Sequence, residues 1–252
     1  MLVIPCFNEV GRLRRAAFEA FLDERRDWGL LFVDDGSRDG TWAILEAMGK
    51  RHPEQVRTLR LERNSGKAEA VRRGMLEAPW NDLAYLGYWD ADLAAPLSEL
   101  DGFLRILEQR REVAAVLGSR VRMLGHTVVR SRRRYLLGRI FAACAAKLLQ
   151  LPVYDPQCGA KLFRASARVR ALFQQPFCSN WAFDVELLAR MVASGADLGS
   201  GGCVYELPLS EWRDVGGSKL RHLGGTQALA DLWRIRRRYP RRLARRSHGA
   251  GS

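Results

Sequence analysis

Three absences limit what this chain of 252 residues can be. No apolar run approaches the roughly 18 residues that a membrane-spanning helix needs. Asn8 and Glu9 interrupt the apolar N-terminal stretch, which argues against a secretory signal peptide. The five cysteines form no Cys-x-x-Cys pair and are odd in number, which favours free thiols in a reducing compartment. We therefore expect a cytoplasmic protein.

Acidic residues are missing from two segments, although the whole chain contains 28 of them. Residues 113–154 carry eight basic side chains and no acidic one, and residues 232–252 carry eight arginines and again no acid. These two segments account for the excess behind the net charge of +13. Such segments attract phosphorylated ligands, acidic lipid surfaces or nucleic acid. A solubilising surface with a basic tail is the alternative interpretation.

Strand and helix patterns alternate over the first 120 residues. Repeated units of this kind imply an α/β protein whose mostly parallel sheet has helices on both faces. The predicted strands are Leu2–Pro5, Leu30–Val33, Val56–Leu61, Leu83–Trp89 and Val113–Leu117. The predicted helices are Val10–Asp27, Asp39–Gly49, Lys67–Ala78, Pro96–Gln109, Tyr135–Leu149 and Trp181–Ser194. No internal repeat or linker precedes the Arg-rich end, so we expect one domain over residues 1–230 and a basic tail over residues 231–252.

Two carboxylates one residue apart, in Asp90-Ala91-Asp92, follow the predicted strand Leu83–Trp89. Ligands of parallel α/β sheets bind beyond the carboxyl ends of the strands. Both carboxylates can reach one Mg²⁺ or Mn²⁺ ion there, since these cations prefer oxygen ligands and are often shared with substrate phosphates. A solvated acidic turn is the alternative interpretation of so short a pattern.

Two further motifs follow predicted strands. Asp34-Asp35 closes the strand Leu30–Val33, where a carboxylate can bind the base or ribose of a nucleotide, or can form an Asx turn. Asn64-Ser65-Gly66-Lys67 lies at a strand-to-helix turn, where a helix N-terminus with a lysine can bind an anion. An ordinary helix cap explains this second motif equally well.

The second half of the chain contains two more candidates. Asp184 and Glu186 lie on an otherwise apolar helix, and buried acids need partners. We expect those partners to be basic residues of the two acid-free segments or the metal site; a pair favoured by the helix dipole is the alternative. Gly216-Gly217-Ser218-Lys219 is a basic loop that can fold over a phosphate or simply connect two elements.

The order of these motifs over residues 1 to about 222 resembles that of family 2 glycosyltransferases. Within that family the chain is most similar to the polyprenyl-phosphate sugar transferases, which include the dolichyl-phosphate glucosyl- and mannosyltransferases. The motifs that carry the resemblance are Ile4–Glu9, Val33–Thr41, Asn64–Lys67, Asp90–Asp92, Gly118–Arg120, Asp155–Phe163, Trp181–Leu187 and Gly217–Leu220.

The resemblance implies a Rossmann-like GT-A fold and inversion at the anomeric carbon of the sugar. It assigns the nucleoside pocket to Pro5, Glu9 and Asp35, the pocket or the diphosphate to Lys67, and the Mg²⁺ or Mn²⁺ ion to Asp90 and Asp92. It assigns the acceptor or donor phosphates to Arg120, Arg134 and Lys219, with Arg134 chosen from a stretch that also contains Arg130, Arg132 and Arg133.

Three residues depart from the motifs of the family. Phe7 stands where a tyrosine is usual, Ala68 stands where a glycine is common, and Ala94 replaces a glutamine of the mannose synthases. The last change removes a candidate metal ligand and favours UDP-glucose over GDP-mannose as the donor. Many relatives have membrane-spanning helices, whereas this chain would meet a lipid acceptor at the membrane surface.

In this interpretation a polyprenyl phosphate attacks the anomeric carbon, and the nucleoside diphosphate leaves. The nucleophile is already ionised, so we expect Asp184 to orient an arginine or the acceptor. With a saccharide acceptor, Asp184 would be the first candidate for the base. A nucleic-acid-binding module is disfavoured, because the acidic strand-end motifs would repel phosphate unless a metal were present. A membrane-surface scaffold is a third, non-catalytic alternative.

The segment Arg120–Lys147 has the composition of an interfacial amphipathic helix. Its arginines would contact lipid headgroups, and its apolar side chains, among them Leu136, Leu137 and Phe141, would contact the acyl boundary. We therefore expect peripheral contact with the cytoplasmic face of a membrane. The alternative is that the apolar side packs on the core of the domain.

Overall fold

A computed structural model describes residues 1–196, 198, 202–215 and 225–239, with the backbone alone at residues 132–134, 225 and 226. The chain divides into two compact units. The first unit consists of Met1–Ser98 and Gly159–Pro176, and the second consists of Glu99–Cys158 and Phe177–Ser252.

Strands and helices alternate from the first strand to the fifth strand and follow a less regular order after it. The strands are β1 Leu2–Cys6, β2 Leu30–Asp34, β3 Val56–Arg60, β4 Tyr85–Trp89, β5 Ala115–Ser119, β6 Thr127–Val129, β7 Ala160–Arg164, β8 Val204–Pro208 and β9 Glu211–Arg213. The helices are α1 Arg15–Glu24, α2 Thr41–Arg51, α3 Lys67–Glu77, α4 Leu100–Gln109, α5 Arg132–Leu149, α6 Ala167–Gln174, α7 Phe183–Ala193 and α8 Gly225–Arg238. The predicted α/β class with a mostly parallel sheet is confirmed.

The first unit contains five strands in the order β3-β2-β1-β4-β7. Strands β1 to β4 are parallel to one another, so their carboxyl ends lie at the same edge of the sheet. Every residue of β2 is buried, as expected for a strand that is covered on both faces. Helix α3 packs on β1 and β2 through Gly74, where a Cβ atom would meet the side chain of Val33 at 2.8 Å.

Strand β7 was missed by the sequence analysis. It pairs antiparallel with β4, with Trp89 opposite Ala160. A lysine in so short a segment suggests an exposed loop. In the structure, however, Lys161 is fully buried, and its ammonium group lies 5.4 Å from the centre of the Tyr88 ring. Pairing with β4 places residue 159 beside the end of β4, which matters for the candidate site.

The predicted helix Val10–Asp27 is too long, because α1 begins only at Arg15. Asn8 has a positive φ of 49°, and the backbone N–H groups of residues 8–10 donate to side chains of the loop after β2. The positive φ of Asn8 and these hydrogen bonds hold residues 8–10 in a loop that precedes the helix.

The second unit pairs β5 in parallel with β8, and β6 in parallel with β9. Helix α7 is buried from Phe183 to Val192 and contacts both α5 and α8. Helix α5 divides into two sides: Phe141 packs on Trp181 with their ring centres 4.4 Å apart, whereas other apolar side chains of α5 are exposed. The prediction that Phe141 faces a membrane is therefore wrong, because this aromatic ring is part of the core of the unit.

The predicted basic tail begins inside a helix. Residues 231–239 continue α8 and its end, and residues 240–252 lie outside the described residues. The boundary at residue 230 stays a prediction. In the part of the chain that the structure describes, no helix has the length and apolar character needed to cross a membrane.

Candidate functional site

The loops after β1 and β2 hold each other in place in the first unit. Asn8 donates its backbone N–H to the Ser37 hydroxyl at 2.9 Å, and its side-chain oxygen accepts from the backbone N–H of Arg38 at 2.8 Å. The backbone N–H of Glu9 donates to the Thr41 hydroxyl at 2.8 Å. Three hydrogen bonds thus fix the strand ends that carry Glu9 and Asp35.

Asp35 binds the turn before α3. Its carboxylate accepts from the backbone N–H groups of Ser65 and Gly66 at 2.7 and 2.8 Å. Burial raises the pKa of Asp35, while these two hydrogen bonds oppose the shift. The amides that were expected to attract an anion therefore already hold one from the chain itself. Asp35 positions Lys67, the first residue of α3.

Gly36 makes the close approach between these two loops possible. Its φ is +70°, a conformation that favours glycine. A Cβ atom at this position would lie 2.6 Å from the backbone carbonyl carbon of Arg63. The glycine after Asp35 is therefore required by the backbone of the turn that Asp35 binds.

Asp90 follows β4 directly, as predicted, and packs against the backbone of residue 159. Its backbone N–H donates to the carbonyl of Gly159 at 3.0 Å, and a Cβ atom on Gly159 would collide with the Asp90 carboxylate. The ammonium group of Lys67 lies 2.5 Å from the same carboxylate. A strand end, a glycine and a lysine together fix this carboxyl group.

Asp92 lies in the turn that ends the strand. One of its oxygens accepts from the backbone N–H of Ala94 at 3.1 Å, and the other lies 3.5 Å from the Arg12 guanidinium. Leu93 between them has a positive φ of 49°, so the chain bends sharply here. Burial raises the pKa of Asp92, and the negative charge of Asp90 raises it further.

This carboxylate pair fits a divalent cation by its chemistry. Two acidic groups repel each other at a half-buried strand end, and the cations Lys67 and Arg12 approach them from the chain. Among the described residues there is no group of three or more metal-binding side chains. Asp90 and Asp92 would thus supply two oxygen ligands, which suits cations that complete their coordination with water and phosphate.

Arg12 was not among the predicted site residues. Its guanidinium forms a bidentate pair with Glu9 at 2.8 and 3.2 Å and also approaches Asp92. Glu9, which was expected to line the nucleoside pocket, is therefore joined to the carboxylate pair through Arg12. Pro5 lies in β1 opposite Val33. The position of Arg12 three residues after Glu9 was the sequence signal that could have indicated this ion pair.

The second unit contains a buried pair of opposite charges at the end of β5. The guanidinium of Arg120 donates to both carboxylate oxygens of Asp155 at 2.6 Å, and the backbone N–H of Arg120 donates at 3.0 Å. Burial would raise the pKa of Asp155, but the charge and hydrogen bonds of Arg120 outweigh it and hold the pKa at about 2. Asp155 therefore orients the predicted phosphate-binding arginine.

A second arginine lies beside Arg120. The guanidinium groups of Arg120 and Arg130 lie 5.4 and 5.6 Å from the ring centre of Trp212. Burial lowers the pKa of Arg130, and the positive charge of Arg120 lowers it further. Two guanidinium groups that share one indole ring form a positive surface suited to an anion.

The two acidic residues of α7, Asp184 and Glu186, are both buried. Asp184 is buried in the first turn of the helix. The carboxylate of Glu186 accepts from Arg190 at 2.8 Å and from Tyr239 at 3.1 Å, and also from the backbone and thiol of Cys178. The expectation that the acid-free segments supply the basic partner is wrong for Glu186, because Arg190 lies one turn along the same helix.

Two predicted residues cannot be placed. Lys219, with the rest of the loop Gly216–Lys219, lies outside the described residues, and Arg134 is described by its backbone alone, within α5. Their predicted contacts with phosphate stay predictions.

Comparison with known proteins gives consistent matches. The family model for glycosyl transferase family 2 matches residues 1–169. The dolichyl-phosphate beta-glucosyltransferase of Drosophila melanogaster is 32% identical over 237 residues, which cover 87% of this chain and 68% of the fly protein.

Two solved structures share the fold. Glucosyl-3-phosphoglycerate synthase from Mycobacterium tuberculosis, in complex with phosphoglyceric acid, matches with a TM-score of 0.63 at 18% identity, over 94% of this chain and 78% of that chain. The mannosyltransferase PcManGT from Pyrobaculum calidifontis, in complex with GDP-Man and Mn²⁺, matches with a TM-score of 0.54 at 19% identity, over 100% of this chain and 64% of that chain. At such low identity the two structures indicate the fold alone.

We expect Asp155→Asn to lower the free energy of unfolding by about 3 kcal/mol, because it leaves the Arg120 charge buried without its partner. The pKa of Asp155 is about 2 in the folded protein, against about 3.9 in an unfolded chain. Its ionisation therefore stabilises the fold fully above about pH 4, and this contribution disappears as the pH falls towards 2.

Urea unfolding at several pH values measures this difference. The gap between the two proteins should be constant from pH 7 to pH 5 and should shrink as the pH falls below 4. Asp82→Asn, at an exposed position, is the matched control and should change stability by less than about 0.5 kcal/mol. A gap that persists unchanged at pH 2 to 3 would contradict the assigned pKa.

Proposed function

Because the chain belongs to glycosyl transferase family 2, we propose that it transfers glucose from UDP-glucose to the phosphate of a dolichol-type polyprenol. The family predicted from the order of the motifs is confirmed, and the chain is a glycosyltransferase. The observation that carries the donor half of the proposal is the carboxylate pair Asp90 and Asp92 with its two neighbouring cations. The acceptor half rests on the name of the fly relative and on the arginines of the second unit.

The donor diphosphate would bind at the end of β4. Asp90 and Asp92 would hold a divalent cation, a use that is consistent with the complex of the Pyrobaculum mannosyltransferase with Mn²⁺. When bound, such a cation neutralises negative charge that develops on the leaving diphosphate. Lys67 adds a positive charge at the N-terminus of α3, where the helix dipole also favours an anion.

The positive charges of Arg12 and Lys67 favour the ionised form of Asp92. Burial raises the pKa of Asp92, while the charges of Arg12 and Lys67 oppose the shift. Ionised carboxylates are required to bind a cation, so both basic residues prepare the site before the donor arrives. Glu9 holds Arg12 in place from the other side.

Uridine as the base of the donor is supported by residue 94. Ala94 has only a methyl side chain, so it offers no ligand where the mannose synthases have a glutamine. Its backbone N–H donates to Asp92, and the residue is buried against the turn. The proposal of UDP-glucose over GDP-mannose rests on this position and on the glucosyltransferase relatives.

The acceptor phosphate would bind to Arg120 and Arg130 in the second unit. The second pKa of a phosphate monoester is about 6, so the nucleophile is already mostly a dianion at neutral pH. It needs an orienting partner more than a base, and Asp155 fixes the orientation of Arg120. Asp184 is buried and would contribute through the structure of α7 rather than by proton transfer.

Contact with a membrane surface would bring the enzyme to such an acceptor. Leu136, Leu137 and Ile140 of α5 are 61%, 67% and 54% exposed. Leu136 and Leu137 lie three or four residues before Ile140, so the three share one side of the helix, and three arginines precede them in sequence. We propose that this side of α5 lies on the cytoplasmic face of a membrane.

We expect Asp92→Asn to reduce transfer of labelled glucose from UDP-glucose to polyprenyl phosphate by about 100-fold or more. The amide keeps the hydrogen bond from Ala94 but removes the charge that would hold the cation. Excess chelator should abolish the activity of the wild type. In a thermal-shift assay, UDP with Mn²⁺ should stabilise the wild type and have little effect on the variant.

Asp23→Asn changes an exposed carboxylate by the same chemistry and should retain full activity. Wild-type rates in Asp92→Asn, or in excess chelator, would contradict the assignment of the carboxylate pair. A larger stabilisation by GDP than by UDP would contradict the donor and favour GDP-mannose.

We expect the triple variant Leu136→Gln, Leu137→Gln, Ile140→Gln to bind vesicles that contain phosphatidylserine at least tenfold more weakly than the wild type. The reason is the loss of apolar side chains that would enter the acyl boundary. Vesicle co-sedimentation at low salt measures the binding of each protein. Val10→Gln, at a side chain that is 48% exposed in the first unit, is the control. Equal binding of triple variant and wild type would remove α5 from the membrane contact.

A further inference from the structure

Helix α8 has two sides of opposite character. Its inner side contains Asp231, Leu232 and Ile235, which are all buried. Its outer side contains Leu229 and Trp233, one turn apart, which are 58% and 57% exposed. Spacing of four residues places the last two side chains next to each other on the surface of the helix.

The inner side attaches α8 firmly to the second unit. The Ser179 hydroxyl donates to Asp231 at 2.7 Å. Directly after the helix, the Tyr239 hydroxyl donates to the fully buried Glu186 at 3.1 Å and accepts from Arg190 at 3.1 Å. One polar contact in the middle of α8 and another directly after it fix which side of the helix faces outward, so the exposure of Leu229 and Trp233 is a property of the fold.

Basic side chains accompany the outer side. Arg236, Arg237 and Arg238 occupy the last turn and are exposed, and the guanidinium of Arg237 lies 4.6 Å from the ring centre of Trp233. From residue 232 to the end, the sequence has no acidic residue. The outer side therefore combines a tryptophan, a leucine and a purely positive charge.

We propose that the outer side of α8 is a second contact with an anionic lipid surface, with Leu229 and Trp233 at the acyl boundary and Arg236 and Arg237 at the headgroups. Tryptophan is favoured at membrane interfaces because its ring is apolar and its N–H is polar. Arginines supply the charge complementarity to acidic lipids.

The contact between α8 and α5 supports a lipid bilayer, rather than another partner, as the surface that covers the outer side of α8. The two helices touch within the second unit, and each has exposed apolar side chains beside basic ones. A single helix of this kind binds a surface weakly, whereas two helices of one compact unit that meet the same surface add their contributions. The inference extends the proposed function, but vesicle binding by α8 can be tested without any transfer reaction.

Co-sedimentation with vesicles of phosphatidylcholine, with and without phosphatidylserine, gives the first test. Leu229→Gln with Trp233→Gln should weaken binding to the anionic vesicles at least tenfold. Arg236→Gln with Arg237→Gln should also weaken it at low salt and reduce its dependence on salt. Arg105→Gln with Arg111→Gln, at exposed positions of the same unit, is the charge-matched control and should bind as the wild type does.

Bromine-labelled lipids give a readout specific to position 233. Wild-type fluorescence should be quenched on binding, whereas Trp233→Phe should keep its affinity and lose most of the quenching. Unchanged binding in the Leu229 and Trp233 double variant, or unchanged quenching in Trp233→Phe, would overturn the proposal. So would a dimer in light scattering that depends on Leu229 and Trp233, since a second copy of the chain would then cover this side.

Transfer to a short-chain, water-soluble polyprenyl phosphate separates this inference from the proposed function. The α8 variants should retain the wild-type rate with that acceptor and be slow only with acceptor embedded in vesicles. Absence of transfer in the wild type, with vesicle binding intact, would count against the proposed function and leave the α8 contact in place.

Discussion

Two negatively charged carboxylates, separated by one residue, lie at the end of β4, and basic side chains of the first unit compensate for their mutual repulsion. Lys67 approaches Asp90, and Arg12 approaches Asp92, so each acid has its own basic neighbour. The missing side chain of Gly159 provides the space for the Asp90 carboxylate. Asp35 fixes the turn that carries Lys67, which links the ends of three parallel strands in one network of charges and hydrogen bonds.

The second unit contains the two segments with an excess of positive charge. Asp155 is buried and orients Arg120 through two hydrogen bonds, and Arg120 and Arg130 share the Trp212 ring, where both guanidinium groups can attract an anion. Further arginines lie on α5 and α8, beside exposed apolar side chains. The same residue type thus serves two purposes: buried and paired near the proposed phosphate site, exposed and next to leucine and tryptophan where a lipid surface is proposed.

The sequence was sufficient where apolar runs and turn residues alone determine structure, as in β1, β2 and the position of Asp90 after β4. It was insufficient where an element depends on a distant partner. Lys161 makes β7 look polar, and its burial follows only from pairing with β4 and from the Tyr88 ring. Asp35 accepts hydrogen bonds from a turn that begins 30 residues later, a contact that the sequence did not predict. Neither contact has a local signature.

We propose that Asp90 and Asp92 hold a divalent cation together with the donor diphosphate. Electron paramagnetic resonance of Mn²⁺, titrated in the presence of UDP, tests it directly on the wild type and on Gly159→Ala. We expect UDP-dependent Mn²⁺ binding by the wild type and at least tenfold weaker binding by a folded Gly159→Ala protein, because the new methyl group displaces the Asp90 carboxylate. Equal Mn²⁺ binding by both proteins, or none by the wild type, would contradict it.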